Sequence, residues 1–319
     1  MLLAAMVLTA VTHGARAAEQ LTVGVLKFGT VNWQLNTLKD QALDKAENID
    51  LQILPLASKN ATSIALQAGE ADVIVTDWIW AQRQRAEGED FVFVPYTRAL
   101  GALVVARGSA VTDIAGLKGK RIGIVGGPLD KSWLIMRTWT RRTLGYDLAE
   151  HAEEVFAAPP LLSEQMRQGR LDAVLTFWPY AARLGADGFT TLVSVADVLG
   201  KLGVESAPPL VGYVFRKGAA EKRPQAFRGL FRAIARTNAH LARSDTAWDK
   251  VRPLMKAADD TEFAALKAGY RKGIPGADAG GDLEGARKLF QIMKDLGGEK
   301  LLGRAERFEP ELFWAPGGQ

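Results

Sequence analysis

The strongest constraint on what this chain can fold into is a passage that occurs twice. LQAGEADVIVTDW runs from Leu66 to Trp78, and MRQGRLDAVLTFW runs from Met166 to Trp178. Glycine, aspartate, threonine and tryptophan coincide at a constant offset of 100 residues, and two β-branched runs, Val23–Val25 and Ile122–Ile124, coincide at 99 with a glycine in the middle of each. Glycine after a helix and aspartate before a strand are ordinary boundary chemistry. Boundary chemistry alone does not require both passages to end in Thr-x-Trp where a strand meets its loop. A chain that lays down the same order of elements twice folds most simply as two lobes of one plan.

The surrounding periodicity supplies the elements. In the first passage, strands are predicted at Leu21–Leu26, Leu51–Leu54, Asp72–Thr76 and Phe91–Val94, with helices over Thr30–Ala46, Ala61–Ala68 and Trp80–Ala86. In the second, strands at Leu103–Ala106, Arg121–Val125, Val155–Ala157 and Leu171–Phe177 alternate with a short turn at Ile114–Leu117 and helices over Leu129–Leu144 and Leu161–Gln168. Such alternation argues for α/β architecture, with mostly parallel sheets covered by helices on both faces. The apolar-periodic tail from Pro224 to about Leu301 adds helices without a third sheet, so it should pack around the lobes.

Composition narrows the setting. Met1–Ala10 is almost wholly apolar, and Ala15-Arg16-Ala17 offers small residues where a signal peptidase reads, so residues 1–17 read as a signal peptide cleaved after Ala17. The run is too short for a transmembrane helix of about 20 residues, and no other stretch could span a bilayer. There is no cysteine. Disulfides, thiolate metal sites and a lipid-anchoring cysteine are therefore excluded, and the expected product is soluble and periplasmic, not a lipoprotein. The formal charge of +4 is scattered, without a basic stripe carrying interleaved aromatics, which argues against a nucleic-acid partner. Arg137, Arg141 and Arg142 read as the solvated face of a helix. Of three histidines, His13 leaves with the leader, His151 sits in a charged loop and His240 lies on a helical run. No His-carboxylate pairing, metal-ligand spacing or nucleophile motif emerges, so neither catalysis, a metal nor a cofactor is expected.

Four blocks, in order, carry a family resemblance: LTVGVLKFGT from Leu21, ALQAGEADV from Ala65, VTDIAGLKGKRIGIVGG from Val111 and LDAVLTFWPY from Leu171. Over roughly residues 20–215 the chain resembles the nitrate, taurine, alkanesulfonate and thiamine-precursor group of ABC-transporter substrate-binding proteins. That resemblance implies a bilobed type II periplasmic-binding-protein fold. Lobe 1 would comprise residues 18–98 and 209–319, lobe 2 residues 99–208, and a two-segment hinge would join them near Tyr96–Gly101 and Pro208–Tyr213. It also implies a monomer that holds a small organic ligand between its lobes and delivers it to a membrane permease. Some proteins resembling this fold are cytosolic enzymes of cofactor biosynthesis, which is the alternative.

The candidate site follows from where open α/β sheets bind ligands, at the carboxyl ends of their strands. The loop containing Lys27, Thr30, Asn32 and Trp33 leaves the first strand and opens a helix, whose backbone N–H groups suit an anion. The equivalent second-lobe loop contains Gly127, Asp130, Lys131 and Ser132, with Pro128 suited to a first helical turn. Strand ends add Thr76, Asp77 and Trp78 on one side and Thr176, Trp178 and Tyr180 on the other. Two readings stand for each. A tryptophan can fill the core or cover a ligand face while its N–H donates, and an aspartate can cap the next helix or meet the ligand. Trp33, Trp78 and Trp178 are chosen as ligand-facing, whereas Trp80 and Trp133 are expected to pack within their helices. The mixed charges, Lys27, Arg98 and Lys131 against Asp77 and Asp130, favour an organic molecule with a flat or apolar body and a polar head: an aminosulfonate, a pyrimidine or another heteroaromatic.

Overall fold

The computed structural model describes residues 17–276 and 279–315. The predicted leader, apart from Ala17, lies outside them. The first passage forms β1 (Glu19–Leu26), α1 (Val31–Asp40), α2 (Leu43–Ala46), β2 (Ile49–Leu56), α3 (Lys59–Ala68), β3 (Val73–Asp77), α4 (Trp78–Ala86) and β4 (Phe91–Thr97). The second forms β5 (Ala102–Val105), β6 (Arg121–Val125), α5 (Lys131–Leu144), β7 (Glu153–Ala157), α6 (Pro159–Arg167), β8 (Ala173–Thr176), α7 (Trp178–Ala186), β9 (Thr190–Ser194) and α8 (Val195–Lys201). The chain returns through β10 (Val211–Arg216) and ends in helices α9 (Lys217–Lys222), α10 (Pro224–Arg243), α11 (Thr246–Met255), α12 (Asp260–Gly273) and α13 (Ala279–Leu302).

Two five-stranded sheets result, ordered β2-β1-β3-β10-β4 and β7-β6-β8-β5-β9. In each, the single antiparallel pairing partner is the strand that has crossed from the other half: β10 between β3 and β4, β5 between β8 and β9. The chain therefore passes between sheets at residues 98–101 and again at 202–210.

The repeated residues do the same work in both lobes. Gly69 and Gly169 take left-handed φ values of 77° and 65° just beyond their helices, a conformation that costs other residues. Asp72 accepts from the Thr22 amide at 2.8 Å while its own amide donates to the Thr22 carbonyl at 2.9 Å, and Asp172 repeats both bonds with Arg121 at the same distances. Each aspartate thus staples the start of a first strand to the third. Gly123 is closely packed: a Cβ there would lie 2.6 Å from Leu171 Cδ1 and 3.0 Å from Leu162 Cδ2, so both leucines would have to shift.

One apolar core lies against α3, α4 and α13 and continues into the second lobe around α5 and α8; another fills the far side of the first sheet beneath α1, α10, α11 and α12. A smaller core seats α6 and α7 on the second sheet. The C-terminal helices pack around the lobes as predicted, and two bridge them: α12 lies along α7, and α13 touches both α4 and α5.

Two expectations need correction. The helix predicted over 30–46 is broken, because Ala42 adopts φ 50° and turns Leu43 into the core as the start of α2. Nor are the three arginines merely solvated. Arg137 and Arg141 both grip the buried Asp147 at 2.6–3.0 Å, while Arg142 reaches Asp295 at 3.3 Å. Burial pushes the Asp147 carboxyl up, but the two guanidinium groups and the Ala149 amide hold it down at about 2.

Candidate functional site

Carboxyl ends of parallel strands from both sheets meet at one seam. The first lobe contributes the loop after β1, which opens α1, the start of α3 and the β3–α4 junction. The second contributes the loop after β6, which opens α5, and the β8–α7 junction.

Two sets of side chains cross this seam. In the first, the Trp33 and Trp178 rings stand edge to face with centroids 6.2 Å apart. Trp33 is buried against Trp248 and Tyr270, so the aromatic wall is anchored in the first lobe. Trp178 is only partly buried and packs against Gly269 of α12, where an added Cβ would approach the ring to 2.7 Å. Glycine is needed there for the close approach.

The second set is ionic. Asp77 is 3% exposed and caps α4 by accepting from the Trp80 amide at 2.8 Å. Its other oxygen meets Lys59 of its own lobe and, at 3.2 Å, Lys131 of the other. Burial works against ionisation of Asp77, yet Lys131 and Lys59 outweigh it and hold the carboxyl far below the ordinary range. Conversely, burial pulls the Lys131 ammonium down, and Asp77 more than offsets this, leaving it raised. Lys59 is half exposed, so its share of the attraction is screened by water.

Asp130 caps α5 through the Ser132 and Trp133 amides at 2.9 and 3.2 Å, and burial pushes its carboxyl up despite those bonds and nearby Lys131. Both aspartates therefore carry the capping role that the sequence allowed. Gly127, at φ 95°, has no neighbour within 4 Å of a would-be Cβ and faces open space.

The remaining candidates divide. Thr76 and Thr176 are both buried, and neither hydroxyl has a hydrogen-bond partner among the described residues. Thr30 accepts from the Tyr96 hydroxyl at 2.9 Å. Asn32 turns back on its own loop, donating to the Leu26 and Gly29 carbonyls at 2.8 and 3.0 Å. Lys27 is exposed beside Phe28, itself 74% exposed, and Tyr180 is partly buried on the first turn of α7. Trp78 is fully enclosed, packed on Phe308 and Phe313, with no partner for its indole N–H among the described residues. In this arrangement it presents no surface to the seam. Trp80 stacks on Phe91, and Trp133 is buried, donating to Glu154 at 2.6 Å.

Sequence reasoning passed over several residues. Lys59 opens a third βα loop of the first lobe, and Ser58-Lys59 after a strand is the same signal that drew attention to the other two. Gln34 joins Tyr213 and Asn238 in a buried polar chain beneath α1, which Tyr270 extends at 3.4 Å. A further interlobe ion pair joins Arg183 of α7 to Glu262 of α12. The crossover at residues 98–101 is held by Arg98, whose amide donates to the Gly273 carbonyl and whose side chain pairs with Asp282, both at 2.7 Å.

Residues 45–243, well over half of the chain, match the family model described as NMT1/THI5 like. No curated protein sequence matches. Among solved structures, the alkanesulfonate-binding protein SsuA from Xanthomonas axonopodis pv. citri bound to MOPS superposes with TM-score 0.71 at 15% identity, over 94% of this chain and 99% of that one. The periplasmic aliphatic sulphonate binding protein SsuA from Escherichia coli gives 0.69 at 18% identity, over 93% and 94%. The desulfurization enzyme DSZB is also similar, with TM-score 0.58, 16% identity and coverage of 92% and 97%. Likeness at these identities establishes the bilobed periplasmic-binding-protein fold.

Proposed function

The chain belongs to the NMT1/THI5-like family, and from that premise we propose that it is the periplasmic solute-binding component of an ABC importer, holding one small organic ligand in the seam between its lobes. The observation that carries this reading is the convergence of βα loops from both lobes on one seam, with an aromatic pair and a lysine–aspartate–lysine cluster side by side. An aromatic wall suits a flat or apolar body, and the ionic cluster with the amides opening α5 suits a polar head. The ligand is accordingly an aminosulfonate, a pyrimidine or another small heteroaromatic. Trp33, Trp178 and Tyr180 cover its body, Thr76 and Thr176 supply hydroxyls, and Lys131, Ser132 and the Gly127 backbone meet its head. Lys27, Thr30 and Asn32 shape the mouth, and Trp78 supports the strand end from behind.

The rest of the assignment follows from this role. Residues 1–17 direct export, lobe 1 comprises 18–98 with 209–319, lobe 2 comprises 99–208, and the partner is a permease at the inner membrane. The mature protein acts as a monomer without a lipid anchor. The enzyme reading has one specific observation behind it, the likeness to DSZB. The two sulfonate-binding proteins superpose more closely than DSZB does, with TM-scores of 0.71 and 0.69 against 0.58, and binding without turnover is the better reading.

A thermal-shift panel of small organic acids, aminosulfonates and pyrimidines, with nitrate and sulfate as controls, tests the assignment. A ligand at about 100 times its dissociation constant stabilises the native state by roughly 2.7 kcal/mol, a rise of about 4 °C for a chain of this size. Stabilisation by nitrate or sulfate at micromolar levels, with no response to the organic set, would overturn the ligand class.

A further inference from the structure

Helix α10 reads PQAFRGLFRAIARTNAHLAR, twenty residues with four arginines and no acidic side chain. All four arginines are exposed. At 3.6 residues per turn, Arg228, Arg232, Arg236 and Arg243 fall within about 80° of one another and form one row about 22 Å long. The exposed residues set among them on that face are Ala235 and Ala239. On the opposite face, Phe227, Leu230, Phe231, Ile234 and Leu241 are buried in the core of the first lobe, so the row is held in a fixed orientation.

The charge of this row is largely uncompensated. Glu47 is the one carboxylate within ion-pair reach among the described residues, 2.6 Å from Arg232 and 3.8 Å from Arg236. Arg228 and Arg243 have no such partner among the described residues. Like charges four residues apart destabilise a helix, and a face needed only for solubility would mix its signs. Here Arg228, Arg232 and Arg236 follow one another at that spacing.

We propose that the arginine face of α10 is an interaction surface for an anionic bilayer, whose lipid phosphates it binds in the headgroup layer.

Guanidinium groups suit this partner, because each is weakly hydrated and offers a fork of donors that matches two phosphate oxygens. A straight row on a rigid helix can lie on a plane of headgroups without any shape complementarity. A protein partner would instead need a desolvated apolar or aromatic anchor near the centre of the contact. None of the large apolar side chains exposed on the described surface lies on α10. Duplex DNA carries the same phosphate chemistry, but alanine offers its bases neither a stacking face nor a hydrogen bond. Attachment of this kind is peripheral and reversible, and it weakens as salt shortens the reach of the charges. It is independent of the seam and of the solute-binding reading.

Co-sedimentation of the full chain with phosphatidylcholine vesicles, pure or with about one third phosphatidylglycerol, tests the surface. The wild type should sediment with the anionic vesicles alone, and should be released when salt is raised from about 0.1 M to about 0.5 M. Each basic side chain near an anionic surface contributes roughly fivefold, so the triple variant Arg228→Gln, Arg236→Gln, Arg243→Gln should bind about 100-fold more weakly. A second triple variant, Arg107→Gln, Lys118→Gln, Arg170→Gln, removes the same charge from exposed positions of the second lobe and should stay within about twofold of the wild type. Glu47→Gln frees two arginines of the row and should bind about fivefold more tightly, a gain that misfolding does not imitate. Equal losses in the two triple variants would mean that net charge alone acts, and would overturn the assignment. So would equal sedimentation with both kinds of vesicle, binding that persists at high salt, no gain in Glu47→Gln, or capture by duplex DNA with none by the vesicles.

Discussion

Trp78 and Trp178 stand at matching positions of the repeat, each the first residue of its helix and two residues after a threonine, yet their surroundings predict opposite consequences of removal. Trp78 is fully enclosed, with Phe308 at 5.7 Å and Phe313 at 6.0 Å between ring centroids. Deleting such a ring leaves a cavity, and Trp78→Ala should cost about 3–5 kcal/mol. That is a large fraction of the roughly 5–15 kcal/mol that keeps a domain folded, and it corresponds to a fall in Tm on the order of 10 °C. Trp178 is partly exposed and packs across the seam. Trp178→Ala should lower Tm by only a few degrees and weaken ligand binding by about 1–3 kcal/mol, the scale of a lost ring contact. Trp78→Phe adds a control: it keeps most of the ring and removes a buried indole N–H that has no partner among the described residues, so it should be far milder than alanine. Urea unfolding followed by circular dichroism, with a binding titration beside it, reads all three variants. Equal loss of stability in Trp78→Ala and Trp178→Ala, or intact folding with lost binding in Trp78→Ala, would refute the division into core and seam.

The remaining predictions concern acid stability and close packing. Because the folded Asp147 carboxyl is held at about 2, below its unfolded value, its contribution is fully present above about pH 4 and is lost as the pH falls toward 2; Asp147→Asn should remove that part of the acid transition, as read by pH-dependent urea midpoints. Gly285→Val should disturb the linker between the lobes, since even a Cβ at Gly285 would lie 2.2 Å from the Ser206 carbonyl oxygen; lower Tm with altered ligand affinity is the expected result in a combined melt and titration. Gly123→Ala places a methyl 2.6 Å from Leu171 Cδ1 and should cost about 1–3 kcal/mol in denaturant unfolding, whereas Gly200→Ala, with open space around it, should be neutral or slightly stabilising.

How much of this was legible beforehand depended on the range over which each signal acts. The repeat exposed the two-lobed plan because Gly69 and Gly169, and Asp72 and Asp172, carry local jobs that only those residue types do well: a left-handed helix end and a paired strand staple. The βα loops were legible for the same reason, being built from short-range capping by Asp77 and Asp130. By contrast, the fates of Trp78 and Trp178 were not, since the burial of Trp78 is decided by Phe308 and Phe313, more than 200 residues away in sequence. Long-range partners also explain why the buried chain of Gln34, Tyr213 and Asn238 escaped notice: nothing near Gln34 in sequence announces it. Lys59 is different. Its loop carried a readable signal, and it gained meaning only once the fold brought Asp77 and Lys131 beside it. The break at Ala42 was hidden because no glycine or proline marks it.

The most direct test of the account is native mass spectrometry of the protein as isolated, followed by hydrogen–deuterium exchange of the stripped protein with the released molecule added back. One small organic molecule per chain is expected, with protection on its return at the loops around Trp33, Lys59, Asp77, Lys131 and Trp178 in both lobes. A molecule that instead protects the surface hollow at Asp90, Arg216 and Lys222, at the opposite end of the first sheet, would contradict it. So would a protein to which nothing binds stoichiometrically.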